Sequence, residues 1–554
     1  MPFEAPKALN LKELQPDVLI VGSGAAGMTA AITAAVRGLR VLVCEAASTI
    51  GGTTAVSGGV LWVPTNDRMA ELGMEDDLET ALTYVQKIAG DKASPDQLRA
   101  WLEHVPQMAR DVEEQLGEKF LALPTYPDYQ PELPGGKTGG RSLDNALFQT
   151  HDLGDWRPLL RKNPITGRMP MTIGEAMNWG VFSKPFDFPY QDVAARAKAG
   201  VVHGGAALIG RSLRRALELG VQFAVNARVR ELTQQDGRVT GALVEYEGAV
   251  HPVEAPAVLL ASGGFEWNEE LSRTFLHVRP SHPTSPPSLR GDALSMARSV
   301  GAELGNMSDA WWVPAVEVPG EQYDEQPLFR SEFAARCLPH SMIVNQQGQR
   351  FVNEALNYND VVKPFLDFDP VAYERKNQQA WLVVDADFLK RYMYVTAVPG
   401  RPLPDYVRSG ETLEELAEKC GMNPEGLVAQ VARLNGFVET GVDEEFHRGE
   451  GAFERFYGDP RYEKNPNLGT IAKPPFCAVP IYIGAIGTKG GPKTDAHARV
   501  LHMKGEPIPG LYAAGNAQAS PAGEGYPGAG STISIAMTFG WLAARHIADE
   551  KARV

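Results

Sequence analysis

The spacing Gly22-x-Gly24-x-x-Gly27, set between two apolar runs, restricts this chain more than any other feature. The pattern predicts a strand over residues 17–21, a tight turn over 22–27, a helix to Arg37 stopped by Gly38, and a second strand over 40–44. Both strands are continuously apolar, as strands buried on two faces of a parallel sheet must be. The first glycine permits a tight turn, the second lets the backbone approach a pyrophosphate, and the third lets the helix pack closely on its strand. Ser23, Ala25 and Ala26 fill the turn. Glu45 follows Gly27 by 18 residues, ahead of Ala46, where a carboxylate can accept hydrogen bonds from ribose hydroxyls. Together these residues predict dinucleotide binding.

Residues 18–36 are uncharged and long enough to imitate a membrane span. Gly22, Gly24 and Gly27 argue against that, and the preceding Glu4, Lys7, Lys12, Glu13 and Asp17 do not make a basic leader. The expectation is no export, no spanning helix and a cytoplasmic protein. At 554 residues the chain is long enough for two or three domains. Its 44% hydrophobic and 22% charged residues are ordinary for a globular protein. A net charge of −15 repels polyphosphate, so nucleic acid is not an expected partner. Cys44, Cys337, Cys420 and Cys477 lack metal-ligand spacing and read as packed thiols; no metal site is expected.

The fold class expected is α/β: a Rossmann-type nucleotide-binding domain, its parallel sheet carrying an inserted β-meander, plus a second α+β catalytic or capping domain. A helix over 206–219, a strand over 221–225, alternating segments over 238–250 and a strand over 257–261 continue the first domain across residues 1–285. Four prolines within 280–287 mark the crossing into a second domain, 286–486, with Trp311-Trp312, a strand over 341–345 and a helical region over 412–439. Residues 487–554 return to the first domain through a strand over 510–514 and a helix over 531–547.

A second glycine and hydroxyl loop, Gly51, Gly52, Thr53, Thr54, Ser57, Gly58 and Gly59, joins Ala261, Ser262, Gly263 and the pair Gly515, Asn516. These segments resemble the flavoprotein family of fumarate reductase and succinate dehydrogenase. The resemblance implies FAD extended across the nucleotide domain and a cap closing the substrate site, with Arg228, Val229, Gly530, Ser531, Thr532 and Ile533 added to the cofactor set. Respiratory members tether flavin through a histidine in the segment equivalent to 51–59, where this chain has none. FAD is therefore expected to be non-covalent, and an Arg/His set for a small dicarboxylate is not evident.

Residues 523–533, containing Tyr526-Pro-Gly-Ala-Gly530, resemble the signature of 3-ketosteroid Δ1-dehydrogenases. Tyr126-Pro-Asp-Tyr129 with Pro134-Gly-Gly136, Trp311-Trp312-x-Pro314, and Arg350-Phe-Val-Asn-Glu354 followed by Tyr358 are similar to the same family in the same order. The resemblance implies loss of a C2 proton and a C1 hydride from a 3-ketosteroid, with an external electron acceptor, a quinone or another. It implies Tyr526 hydroxyl and Gly530 N–H as donors to the C3 oxygen, Tyr358 as base, and Tyr129 as its hydrogen-bond donor, with Tyr126 as alternative. Another ring-A dehydrogenase, an ene-reductase or an electron-transfer flavin subunit are competing expectations.

Packing or wall roles are expected for Trp311 and Trp312, a helix N-cap for Asp292, and turn roles for Lys489 and Asp495. Residues 152–190, within a possible surface insertion at 150–195, interleave Trp156, Trp179, Phe182, Phe186 and Phe188 with Arg157, Arg161, Lys162, Arg168 and Lys184. This pattern suits either domain packing or peripheral contact with a membrane surface.

Overall fold

The computed structural model describes residues 3–5 and 8–553, so Lys7 lies outside it. Its first sheet runs in the order Arg499–Leu501, Pro507–Ala513, Ala257–Leu260, Val18–Val21, Val41–Glu45 and Gln222–Val225. All neighbours are parallel except the edge strand Arg499–Leu501. Val18 sits between Val41 and Ala257, and every residue of Val18–Val21 is buried. The strands expected around residues 17–21, 40–44, 221–225 and 257–261 are present, and the meander comprises Arg228–Gln235, Arg238–Tyr246 and Ala249–Glu254.

Helices cover the sheet with small residues where backbones must meet. Helix Ala25–Val36 packs on helix Ser531–Ala552, and a Cβ on Gly540 would lie 2.4 Å from the Ala26 carbonyl oxygen. On the other side, a Cβ on Gly27 would lie 2.0 Å from the Gly22 oxygen, which holds the helix tight on its turn.

The proline-rich segment leads into His282–Pro283, one strand of a seven-stranded sheet centred on the long strand Phe476–Thr488. Ala310–Tyr323, Ala380–Val384 and Arg408–Gly410 pair with that strand antiparallel, and Gln326–Ser331 and Ser341–Asn345 extend the sheet. The four cysteines are buried free thiols, as expected. Among the described residues no helix is long and apolar enough to cross a membrane.

Several local expectations change. The helical region over 412–439 is two helices, Leu413–Cys420 and Pro424–Thr440, because Gly421 takes a left-handed φ of 67° and Asn423 caps the next helix. Asp292 is not an N-cap: Gly291 holds that position with φ 83°, and Asp292 pairs with Arg228 at 3.2 Å. Helices Leu78–Ala89 and Pro95–Leu116, absent from the sequence reading, pack into the same core as the first sheet. Within 152–190, Trp156, Phe188 and Arg161 are buried, whereas Phe182 is 44% and Phe186 67% exposed, so that segment divides between packing and an outward face.

Two glycines give opposite tests of this packing. Gly27→Ala drives a methyl into a backbone carbonyl that cannot rotate away, and we expect a loss of about 3 kcal/mol in urea unfolding. Gly436 lies inside helix Pro424–Thr440 with open space around it, so Gly436→Ala is expected to stabilise the protein by about 0.5–1 kcal/mol in the same assay.

Candidate active site

The glycine turn and the end of strand Val41–Glu45 meet at one corner of the first sheet. Glu45 accepts hydrogen bonds from Ser23 N–H at 3.1 Å and Ser23 hydroxyl at 2.6 Å, and from Ala47 N–H at 2.9 Å. Ser23 hydroxyl in turn accepts from Gly51 N–H at 2.9 Å, which joins the two glycine loops. Helix Ala25–Val36 begins at Gly24 without a side-chain cap, and Ala25 N–H is held by Thr54 hydroxyl at 3.0 Å. Such an N-terminus favours an anion. A Cβ on Gly24 would find nothing nearer than Thr54 at 3.7 Å, and one on Gly52 nothing nearer than Gly24 at 3.8 Å. This corner is therefore lined by glycine backbone and the Thr54 hydroxyl, a polar lining suited to a pyrophosphate.

The other candidate cofactor residues gather around this corner or beyond its helix. Gly22 packs on Ala261, and the buried Ser262 hydroxyl beside it has no partner in the protein. Ala227 N–H donates to the Glu45 carbonyl at 2.9 Å, which sets Arg228 and Val229 next to Glu45 and Ala46. Gly515 lies against Ala26 and Ala536, and Asn516 accepts from Trp311 Nε1 at 3.1 Å. Ser531, Thr532 and Ile533 form the first turn of helix Ser531–Ala552, which has no side-chain cap. Two helix N-termini whose N-cap glycines offer no side chain, an unpartnered hydroxyl and a glycine-lined corner fit FAD. Thr53 lies in the short helix Gly52–Val56, and Ser57 hydroxyl turns inward to accept from Gly59 N–H at 3.1 Å. Gly58 and Gly59 lie against Gly204 and Gly205, where a Cβ on Gly59 would fall 2.2 Å from the Gly204 backbone.

At the N-terminus of the last helix stands a cluster of phenols. Tyr358 hydroxyl donates to Tyr526 hydroxyl at 2.8 Å, and Tyr129 lies against both, with ring centroids 5.3 Å from Tyr358 and 5.0 Å from Tyr526. Tyr126 turns elsewhere: its hydroxyl pairs with Tyr457 at 2.6 Å. Burial pushes the Tyr358 phenol well above its ordinary pKa and the neighbouring Tyr526 adds to this, while a hydrogen bond from Tyr129 acts in the opposite direction. Burial raises Tyr526 as well, opposed by hydrogen bonds from Tyr358 and Thr532. Gly530 has φ 93°, and a Cβ there would lie 2.1 Å from the Val60 oxygen. Glycine at 530 is thus required by the fold itself, and its N–H sits ahead of the first helical turn, where no intrahelical acceptor exists.

Three anchors that sequence reading missed hold these tyrosines. Pro527 carbonyl accepts from Tyr129 N–H at 2.9 Å and from Tyr84 hydroxyl at 2.6 Å, tying the Tyr129 loop to the Tyr526 turn. Asp360 accepts from Gln130 and Asn357 side chains, each at 2.7 Å, tying that loop to the Tyr358 turn. Burial opposes ionisation of Asp360, yet Lys363 at 2.8 Å and these amides hold it below its ordinary pKa. The third anchor is buried and ionic: Arg350 bridges Glu354 at 2.7 Å and Asp443 at 2.8 Å, and Arg448 reaches Glu354 at 3.3 Å. Removing one member would strand a buried charge. The long-range partners among these lie up to 443 residues apart, and no local spacing announces them.

Trp311 is buried edge-on to Tyr526 at 4.8 Å and Trp312 donates to Asp309 at 2.6 Å, so both are packed wall residues. Asp495 has the expected turn role, accepting from His497 and Arg499 N–H groups. Lys489 does not: it is fully buried and bound to Asp309 at 3.1 Å, which makes it an internal cation.

Residues 17–533 match the model of the FAD binding domain family. The chain is 41% identical to 4-oxocyclohexanecarboxylate 2-dehydrogenase of Sinomonas cyclohexanicum, over 97% of this chain and 93% of that one. It is 37% identical to 3-oxosteroid 1-dehydrogenase of Mycobacterium tuberculosis (strain ATCC 25618 / H37Rv), over 97% and 99%. A crystal structure of 3-ketosteroid delta1-dehydrogenase from Sterolibacterium denitrificans, in complex with 1,4-androstadiene-3,17-dione, superposes with a TM-score of 0.89 at 35% identity, covering 97% of this chain and 100% of that one. With the nucleotide cradle and these relationships in hand, the chain belongs to the FAD binding domain family and is an FAD-dependent oxidoreductase.

Proposed function

We propose that this protein is a 3-ketosteroid Δ1-dehydrogenase that holds its FAD non-covalently. The observation that carries the reading is the 2.8 Å pair of Tyr358 and Tyr526 hydroxyls beside the uncapped N-terminus of helix Ser531–Ala552. Removing hydrogen from a carbon next to a ketone needs a base for the proton and donors for the oxygen on which negative charge builds. Tyr526 O–H and Gly530 N–H serve the oxygen, in a buried site where preorganised donors act most strongly. Tyr358 as phenolate takes the C2 proton, and Tyr129 stabilises that phenolate without placing a fixed charge among the rings. FAD, when bound, supplies the acceptor for the hydride leaving C1; sustained turnover needs an external electron acceptor, a quinone or another.

An apolar substrate suits the surroundings. Ring contacts run from Tyr526 through Tyr129, Phe453 and Tyr457 to the partly exposed Phe182, and Phe333 borders Tyr358. A monocyclic ring ketone bearing a carboxylate is the second reading, supported by the 41% identical relative. It shares the same chemistry next to the carbonyl and differs in what lies beyond the ring.

Anaerobic mixing of the holoenzyme with a 4-ene-3-ketosteroid is expected to bleach the visible flavin band and yield a C1–C2 double bond by mass and NMR. Bleaching by 4-oxocyclohexanecarboxylate alone would select the second reading, and bleaching by neither would refute both. Tyr526→Phe should lower kcat by about 10²–10³-fold, and Tyr358→Phe by about 10²–10⁴-fold; Tyr126→Phe, whose hydroxyl is spent on Tyr457, should cost far less.

Because burial raises the Tyr358 pKa, the neutral phenol dominates at pH 7 and kcat should climb with pH on the alkaline side. Tyr129→Phe removes a contact that favours the phenolate, so that limb should move to higher pH. A limb that stays in place would remove Tyr129 from its supporting role.

A further inference from the structure

Lys489 is a buried ammonium that the reaction scheme above leaves without a task. It follows the last residue of strand Phe476–Thr488, with 0% side-chain exposure. Its Nζ donates to Asp309 Oδ2 at 3.1 Å, to the Glu524 carbonyl at 2.7 Å and to the Gly525 carbonyl at 3.2 Å. Those two carbonyls immediately precede Tyr526. The same Nζ lies 4.7 Å from the Trp311 ring centroid, and Trp311 meets Tyr526 at 4.8 Å and 66°. Lys489 backbone groups add a donor to the Asp309 carbonyl at 3.1 Å and an acceptor for Ser520 N–H at 2.9 Å.

We infer that Lys489 is the positioning residue of the ketone-binding turn, clamping residues 524–525 and Trp311 so that the Tyr526 hydroxyl is held in place, and setting its Asp309-paired ammonium behind that turn. This rests on the function proposed above. Two features separate it from a purely structural ion pair. Asp309 is already engaged through Oδ1 by Ala310 N–H at 2.8 Å and Trp312 Nε1 at 2.6 Å, so the carboxylate has its own role in the strand. The cation instead divides its three N–H bonds between that carboxylate and the Tyr526 turn, so loss of the cation reaches Tyr526 directly and loss of the carboxylate does not. Cation and ring also act together, since the charge favours the Trp311 face whose neighbour is the Tyr526 edge.

The test compares Lys489→Met, Lys489→Arg and Asp309→Asn holoenzymes with wild type. Met removes the charge and the carbonyl clamp, and should lower kcat for a 4-ene-3-ketosteroid by about 100-fold with KM within about threefold, the size of effect seen when one oxyanion donor is lost. Arg retains the charge and N–H donors and should recover part of that loss. Asn breaks the same ion pair from the other side but leaves the cation on both carbonyls, so its loss should be several-fold smaller. A second readout needs no turnover: 3-fluorotyrosine placed at 526 should shift its ¹⁹F resonance in the Met background and much less in the Asn background.

Equal losses in Met and Asn variants, or a Met variant with wild-type kcat, or one whose loss follows only from lost FAD, would each overturn the assignment. If wild type turns over neither ketone while the fluorine shift follows the expected order, the functional reading fails and the positioning role of Lys489 stands.

Discussion

Backbone-to-backbone contact between helices Ala25–Val36 and Ser531–Ala552 underlies everything else in this protein. Gly540 meets the Ala26 carbonyl with no room for a methyl, and Gly27 meets Gly22 in the same way. These contacts fix two helices whose N-terminal residues lie about 500 positions apart in the chain. One N-terminus opens at Gly24 beside Glu45 and the cradle for the pyrophosphate. The other opens at Gly530 beside Tyr526. The cofactor corner and the Tyr526 turn are thus aligned by one rigid packing decision, and small residues are its means.

Tyr358 comes from the stretch between strands Ser341–Asn345 and Ala380–Val384 of the second sheet and is held by different physics. Tyr358 lies in an irregular loop, so its position cannot come from a helix or strand. Buried charges hold it instead: Arg350 and Arg448 on Glu354, Arg336 on the Glu354 and Leu356 carbonyls, and Asp360 on Asn357. Buried ion pairs are expensive to desolvate and unforgiving of rearrangement, which suits a loop that must present one hydroxyl within hydrogen-bond reach of another. Asp128 belongs to the same design on the Tyr129 side. Burial lifts its pKa to about 6, while Arg141 at 2.8 Å and Trp62 Nε1 at 2.7 Å keep it bound in place.

Legibility followed the range of the interaction. The first strand, turn and helix, the end of the next strand at Glu45, and the strand Ser341–Asn345 were readable because apolar runs and glycine stops act within a dozen residues. Tyr526 and Gly530 were singled out by a resemblance alone, and the structure places Gly530 at the start of helix Ser531–Ala552. The split of 412–439 was missed although Gly421, Asn423 and Pro424 spell a stop and a restart. Lys489 was misread for a different reason: its partners, Asp309 and the carbonyls of 524 and 525, come from distant segments.

By itself, the sequence determined the nucleotide corner, because strand, turn, helix and carboxylate there are consecutive and their chemistry is local. It also determined which phenols and glycine were available. Only the tertiary structure decided that Tyr129, rather than Tyr126, stands against Tyr358 and Tyr526, and that a lysine is sealed behind the turn. Side-chain direction, burial and the pairing of charges depend on segments hundreds of residues apart meeting in space, and no spacing along a single chain carries that information.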